Sequence, residues 1–178
     1  MVYLRELAES DLPLLNVWRN DSEIIKDLGA PFRFINIETD QKWFQSYLAN
    51  RQTQIRCAIC LENSSEMIGA IYLLGIDSVS RCAELSIMIG NKGKQNQGYG
   101  TASIRLMLDH AFNSLNLIRV YLYVLQQNNR AIQVYEKVGF VTEGVLRKSI
   151  FKNGEYKDQR LMSVLHNEYK AIRSTLTE

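Results

Sequence analysis

The stretch from residue 54 to residue 89 constrains the fold most. Three strand-like segments, 54–61, 66–77 and 81–89, are separated only by Glu62-Asn63-Ser64-Ser65 and Ser78-Val79-Ser80. Separators so short and polar leave no room for a crossover, so the segments must pair side by side as an antiparallel meander. A loop rich in Gly, Asn, Lys and Gln (90–98) then leads into the clearest helix of the chain. Ile104, Met107, Leu108, Ala111, Phe112 and Leu115 fall at the i, i+3, i+4, i+7, i+8, i+11 spacing of one apolar face.

The remaining punctuation extends this plan in both directions. Residues 118–124 read as a strand, 129–138 as a helix and 141–150 as a strand. Asn153-Gly154 is a two-residue hairpin turn, since both positions tolerate positive φ, and 156–165 pairs back across it before a short polar helix. Upstream, 2–7 reads as a strand. A helix beginning at Ser10 or Asp11 carries Leu12, Leu15 and Trp18 on one side. Irregular chain over 29–34 precedes a helix over 38–49 with Trp43, Phe44 and Tyr47. The order predicts an α/β (α+β) fold, a central and mostly antiparallel sheet flanked by helices, in one domain over 1–178.

Composition narrows the function. The 178 residues carry a formal net charge of +2, and no basic run exceeds a few residues, so the clustered stripe that phosphate backbones require is missing and no nucleic-acid partner is expected. The longest apolar run, 68–76, falls well short of the roughly 20 residues of a membrane-spanning helix, and no membrane partner is expected. The N-terminus turns acidic at Glu6 without the apolar core of a signal peptide, which predicts a cytoplasmic protein. Cys57 and Cys60 form a C-x-x-C pair inside a strand, where positions three apart face opposite sides. With no second pair, and with His110 and His166 distant in sequence, no metal is expected.

Gln95-Asn96-Gln97-Gly98-Tyr99-Gly100-Thr101 lies directly between a strand and the amphipathic helix. Glycines one residue apart let several N–H groups converge, and the first helical turn adds unpaired donors and the positive end of its dipole. Such a loop suits phosphate, and Thr101 can add a hydroxyl contact. Gly98-Tyr99-Gly100 also begins a near match to G-x-G-x-x-G, but Ser103 stands at the third glycine. No acidic residue follows at the end of the next strand, and the preceding segments are hairpins, so a dinucleotide fold is set aside.

At this point the sequence resembles a known family. Gln95-x-x-Gly98-x-Gly100 is similar to the pyrophosphate loop of the GNAT superfamily of N-acetyltransferases. Asn128-x-x-Ala131-x-x-x-Tyr135-x-x-x-Gly139-Phe140 resembles its second block. Leu4-Arg5 followed by Asp11-Leu12, together with Ala83-Glu84 and Phe151-x-Asn153-Gly154-x-Tyr156-x-Asp158, resembles the branch holding ribosomal-protein N-terminal and spermidine acetyltransferases. The resemblance implies a six- to seven-stranded sheet with a V-shaped splay between the fourth and fifth strands. It implies acetyl-CoA as cosubstrate, with its pantetheine arm laid along the backbone of Ile87, Met88 and Ile89. Gln95, Asn96, Gln97, Gly98, Tyr99, Gly100 and Thr101 would hold the phosphates, and Asn128 and Ala131 would lie beside the arm. Homodimers are common among such relatives.

The chemistry needs two proton transfers. A thiolate leaving the thioester requires a proton, and a phenol of pKa about 10 supplies one at neutral pH; the resemblance assigns that role to Tyr135, which lies on the helix stripe Ile132, Tyr135, Val138. The attacking amine, charged at pH 7, must lose a proton, and Glu84 is the candidate base. Trp18, Arg19, Asn20, Phe32 and Phe34 are candidates for the acceptor pocket. Residues 29–34, where spermidine enzymes carry acids, contain none here, which weighs against a polyamine. The acceptor is then a small-molecule amine, an amino sugar, an amino acid or a protein N-terminus. A module that binds acyl-CoA without turnover, or a polyamine enzyme with an altered acceptor site, is the alternative.

Overall fold

The computed structural model describes residues 1–176. β1 (Val2–Glu6) leads through a 3-10 turn into α1 (Leu12–Arg19), α2 (Ser22–Ile25) and α3 (Ile37–Ala49). β2 (Ile55–Leu61), β3 (Met67–Asp77) and β4 (Cys82–Ile89) are the meander. Then come α4 (Tyr99–Asn113), β5 (Arg119–Leu125), α5 (Asn129–Val138), β6 (Val141–Lys152), β7 (Glu155–Leu165) and α6 (His166–Leu176). Among the described residues the sheet has seven strands, in the order β1-β2-β3-β4-β5-β7-β6. Every neighbour is antiparallel except β4 and β5, which run parallel.

The alternation of the strands divides the buried residues between two faces. Ile59, Ile71, Leu73 and Leu85 pack against Ile104, Met107, Leu108, Ala111 and Phe112 of α4 and against Ile132 of α5. Ala58, Cys60 and Ala70 meet Leu12, Leu15 and Trp18 of α1 and Phe44 and Tyr47 of α3 on the other side. Cys57 and Cys60 accordingly fall on opposite faces, and all three cysteines are free thiols. Helix ends follow local chemistry. Pro13 sits in the first turn of α1, where its missing N–H is no loss. Asn36 caps α3 by accepting from Thr39 N at 2.9 Å.

Two features depart from expectation. α2 has four residues, too few to leave a periodic trace; Asp21 starts it by accepting from Glu23 N at 2.9 Å. Leu115, assigned to the stripe of α4, lies beyond that helix's last residue, Asn113. Among the described residues no helix is long and apolar enough to cross a membrane.

The parallel ladder between β4 and β5 is short. It pairs Cys82 with Arg119, Ala83 with Val120 and Glu84 with Tyr121, and stops there. Past Glu84, β4 continues to Ile89 paired with β3, while β5 continues to Leu125 paired with β7. The sheet therefore opens into a V whose vertex is Glu84.

Candidate functional site

The V widens into a cleft of about 970 Å³, within the range of small-molecule sites. One wall is the β4 edge over Ile87, Met88 and Ile89, whose outward backbone groups lack a neighbouring strand and can bond an extended ligand. The opposite wall is α5 with Asn128, Ala131, Val134 and Tyr135, and the end of the cleft is the first turn of α4.

That first turn is built as an anion cradle. Gly98 caps α4 at φ 83°, a left-handed backbone that side-chain-bearing residues rarely adopt. The first bond into the helix runs from Ala102 N to Gly98 O at 3.0 Å, so the N–H groups of Tyr99, Gly100 and Thr101 have no helical acceptor. Lys94 and Arg130 line the same end. Side chains expected to hold phosphate are partly engaged in the loop itself. Gln95 donates to Ile89 O at 2.9 Å, tying the loop to β4, and the Asn96 carbonyl accepts from Arg130 at 3.4 Å. Gln97 is exposed, donates to Gly93 O at 2.7 Å and does not line the cleft. Asn128 caps α5 by accepting from Ala131 N at 3.1 Å, and its amide donates to Asp27 O at 3.1 Å.

Tyr135 and Glu84 both line the cleft. Tyr135 packs edge-on to Phe140 at 5.7 Å, and burial pushes its phenol up to about 12. Among the described residues its hydroxyl has no hydrogen-bond partner, which leaves the proton free for a ligand. Glu84 is half-buried, and burial raises its carboxyl above the ordinary value of 4.5.

The end beyond Glu84 is furnished by residues that sequence reading missed. Arg56 lies over the rings of Trp43 and Tyr72, and all three line the cleft. Arg19, expected here, also lines it, ion-paired to the fully buried Asp40. Trp18 does not line it: it is buried against Gly90, where an added Cβ would lie 2.0 Å from the indole. Asn20 is occupied with the backbone of Ile35, accepting from its N–H at 2.9 Å and donating to its carbonyl at 2.7 Å. Phe32 and Phe34 meet edge to face and neither lines the cleft, with Phe34 91% exposed. Residues 28–30 form the roof instead. Their anchor is buried Lys152, whose ammonium donates to the carbonyls of Ile25, Leu28 and Ala30 at 2.6, 2.5 and 2.7 Å. Among the described residues no group of three or more His, Cys, Asp or Glu side chains gathers as a metal site would require.

Comparison with known proteins agrees with this geometry. Residues 2–141 match the family model for an acetyltransferase (GNAT) domain. The chain is 38% identical over 167 residues to the spermidine N(1)-acetyltransferase of Vibrio cholerae, covering 93% of this chain and 94% of that one. It is 32% identical over 162 residues to an L-amino acid N-acetyltransferase of Escherichia coli, covering 86% and 98%. The crystal structure of the Vibrio cholerae spermidine N-acetyltransferase with CoA and spermine superposes with a TM-score of 0.89 at 28% identity, covering 95% of this chain and 98% of that one. With its family model spanning most of the sequence and its fold superposing on that of a solved spermidine N-acetyltransferase, this chain belongs to the GNAT acetyltransferases.

Proposed function

We propose that the cleft binds acetyl-CoA and that a primary amine entering from the α1 and α3 side attacks the thioester directly. The observation that carries this is the end of the β4–β5 ladder at Glu84, which places a half-buried carboxylate and the unpartnered Tyr135 hydroxyl on one cleft. The donor fits the residues present: an unpaired strand edge suits the amides of the pantetheine arm, and the N–H cradle at Tyr99, Gly100 and Thr101 suits the diphosphate. Bound there, acetyl-CoA supplies an activated acetyl group.

The protein's own residues then handle protons. An alkyl ammonium of pKa about 10.4 is almost wholly charged at pH 7 and not nucleophilic. Glu84, directly or through one water, takes that proton. Tyr135, its phenol pushed up to about 12 by burial and so protonated at neutral pH, gives its proton to the departing sulfur. A polyamine acceptor is a second reading, supported by Glu23 and Asp27 on the cleft wall and by the activity of the Vibrio cholerae relative. The test is thiol release from acetyl-CoA with a panel of primary amines. Release that depends on the amine and yields its acetylated form supports the reading; release at the same rate without amine contradicts it.

A further inference from the structure

The acceptor end of the cleft holds, across the sheet from Glu84, a second charge that proton handling does not account for. Arg56 on β2 lies directly across the ladder from Tyr72 on β3, and Tyr72 directly across from Ser86 on β4. Opposed residues share a face of the sheet, and Glu84, two residues before Ser86, shares it too. All four line the cleft.

Arg56 is a cation held by rings. Its guanidinium carbon lies 4.5 Å from the Trp43 ring centroid, 4.8 Å from Tyr72 and 5.9 Å from Tyr47, and its Nε donates to Gln54 at 2.9 Å. Among the described residues it has no carboxylate partner, whereas neighbouring Arg19 is matched by Asp40. Glu84 is the complement: a half-buried carboxylate whose raised pKa has burial as its cause and which has no cation bound to it among the described residues. Elsewhere on the cleft wall Glu23 is paired with Lys26 and Lys92 with Asp21, while Lys94 and Arg130 stand at the phosphate end and Asp27 under the roof, away from this face. Charges withdrawn from water without a counterion are unfavourable, and one face that ends in an unmatched cation and an unmatched anion fits a ligand that brings both. Two strand spacings and two residues separate the Cα atoms of Arg56 and Glu84, roughly 12 Å, a span that the two side chains reduce to the scale of one small molecule.

We infer that the acceptor is an amino acid: its amine faces Glu84 and its carboxylate is gripped by the Arg56 guanidinium, which offers a two-pronged donor fork. The inference rests on the acetyl-transfer reading and narrows it. Trp43 and Tyr72 exclude water around the ion pair. The same unmatched guanidinium repels the second ammonium of a polyamine.

The experiment compares kcat/KM for leucine, phenylalanine and glutamate, each beside its carboxamide, with spermidine as the polycation. The carboxamide's amine is the less protonated of each pair, so a preference for the acid cannot arise from amine basicity. We expect at least one acid to exceed its carboxamide and spermidine by about 10- to 100-fold, the size of a charge-assisted bond. Arg56→Met should erase that preference through KM while acetyl-CoA affinity by calorimetry, set at the other end of the cleft, stays unchanged; Arg56→Lys should restore part of it. Carboxamides or spermidine used as well as the acids by the wild-type enzyme would overturn the amino-acid subsite and leave amine acetylation standing. An unaltered preference in a folded Arg56→Met variant would overturn the role of Arg56. Failure of every amine to release thiol would sink the transfer reading itself.

Discussion

Tyr135 shows how much of a residue's role depends on what it does not bind. Its ring is half-buried on the cleft, burial pushes its phenol up to about 12, and its hydroxyl has no hydrogen-bond partner among the described residues. A tyrosine in a closed core normally satisfies its hydroxyl, whereas this one opens onto the cleft, and in the proposed reaction it is the acid. Tyr135→Phe should therefore keep acetyl-CoA affinity and thermal stability while kcat falls about 10²- to 10⁴-fold, the usual loss for a missing acid. Unchanged turnover would remove Tyr135 from the chemistry. As the proposed base, Glu84 must be ionised to act. Its folded pKa is raised, so activity should be lost as pH falls through a value above the ordinary 4.5 and recovered as pH rises. Glu84→Gln should abolish that acidic limb of kcat/KM; an identical limb in the variant would assign the proton to another group. The sequence singled out these two through short motifs, and both line the cleft. Side-chain type does not reveal that the Gln97 amide is turned onto Gly93 O or that the Trp18 indole is packed on Gly90, off the cleft. Sequence reading overlooked Arg56, which becomes a site residue only through the register that sets it opposite Tyr72.

At the scale of elements, what could be read was what repeats locally. The meander, the apolar stripe of α4 and the Asn153-Gly154 hairpin all stand where periodicity and turn chemistry put them. The parallel contact of β4 with β5 joins strands separated by a whole helix, and nothing within either strand encodes it. The roof over residues 28–30 was hidden for the same reason, since Lys152 reaches it from β6 across more than a hundred residues. Its ammonium has three donors and three carbonyls to receive them. Lys152→Met should destabilise the fold by about 2–3 kcal/mol and raise KM for the acceptor with little effect on acetyl-CoA affinity. Equal KM values would show that the roof does not shape the acceptor end. At the start of α4, a Cβ on Gly98 would meet nothing within 4 Å, so a larger residue there is opposed by the backbone and not by crowding. At φ 83° the left-handed cost is about 1–2 kcal/mol; Gly98→Val should weaken acetyl-CoA binding about tenfold by calorimetry, and unaltered affinity would exclude the cradle.

For the whole molecule, the sheet is two units joined at one narrow place. β1 to β4 with α1 and α3 form one, β5 to β7 the other, and between them runs the ladder from Cys82 to Glu84. The cleft exists because the two halves separate beyond that ladder while α4, α5 and the Lys152-anchored roof close its sides. The proposed reaction needs such a site to hold donor and acceptor together, with Tyr135 on one wall as the acid and Glu84 at the vertex as the base. Initial rates of thiol release with both substrates varied test this most directly. The account predicts double-reciprocal lines that intersect, as a ternary complex requires; parallel lines, the mark of an acetylated enzyme formed before the amine binds, would contradict it.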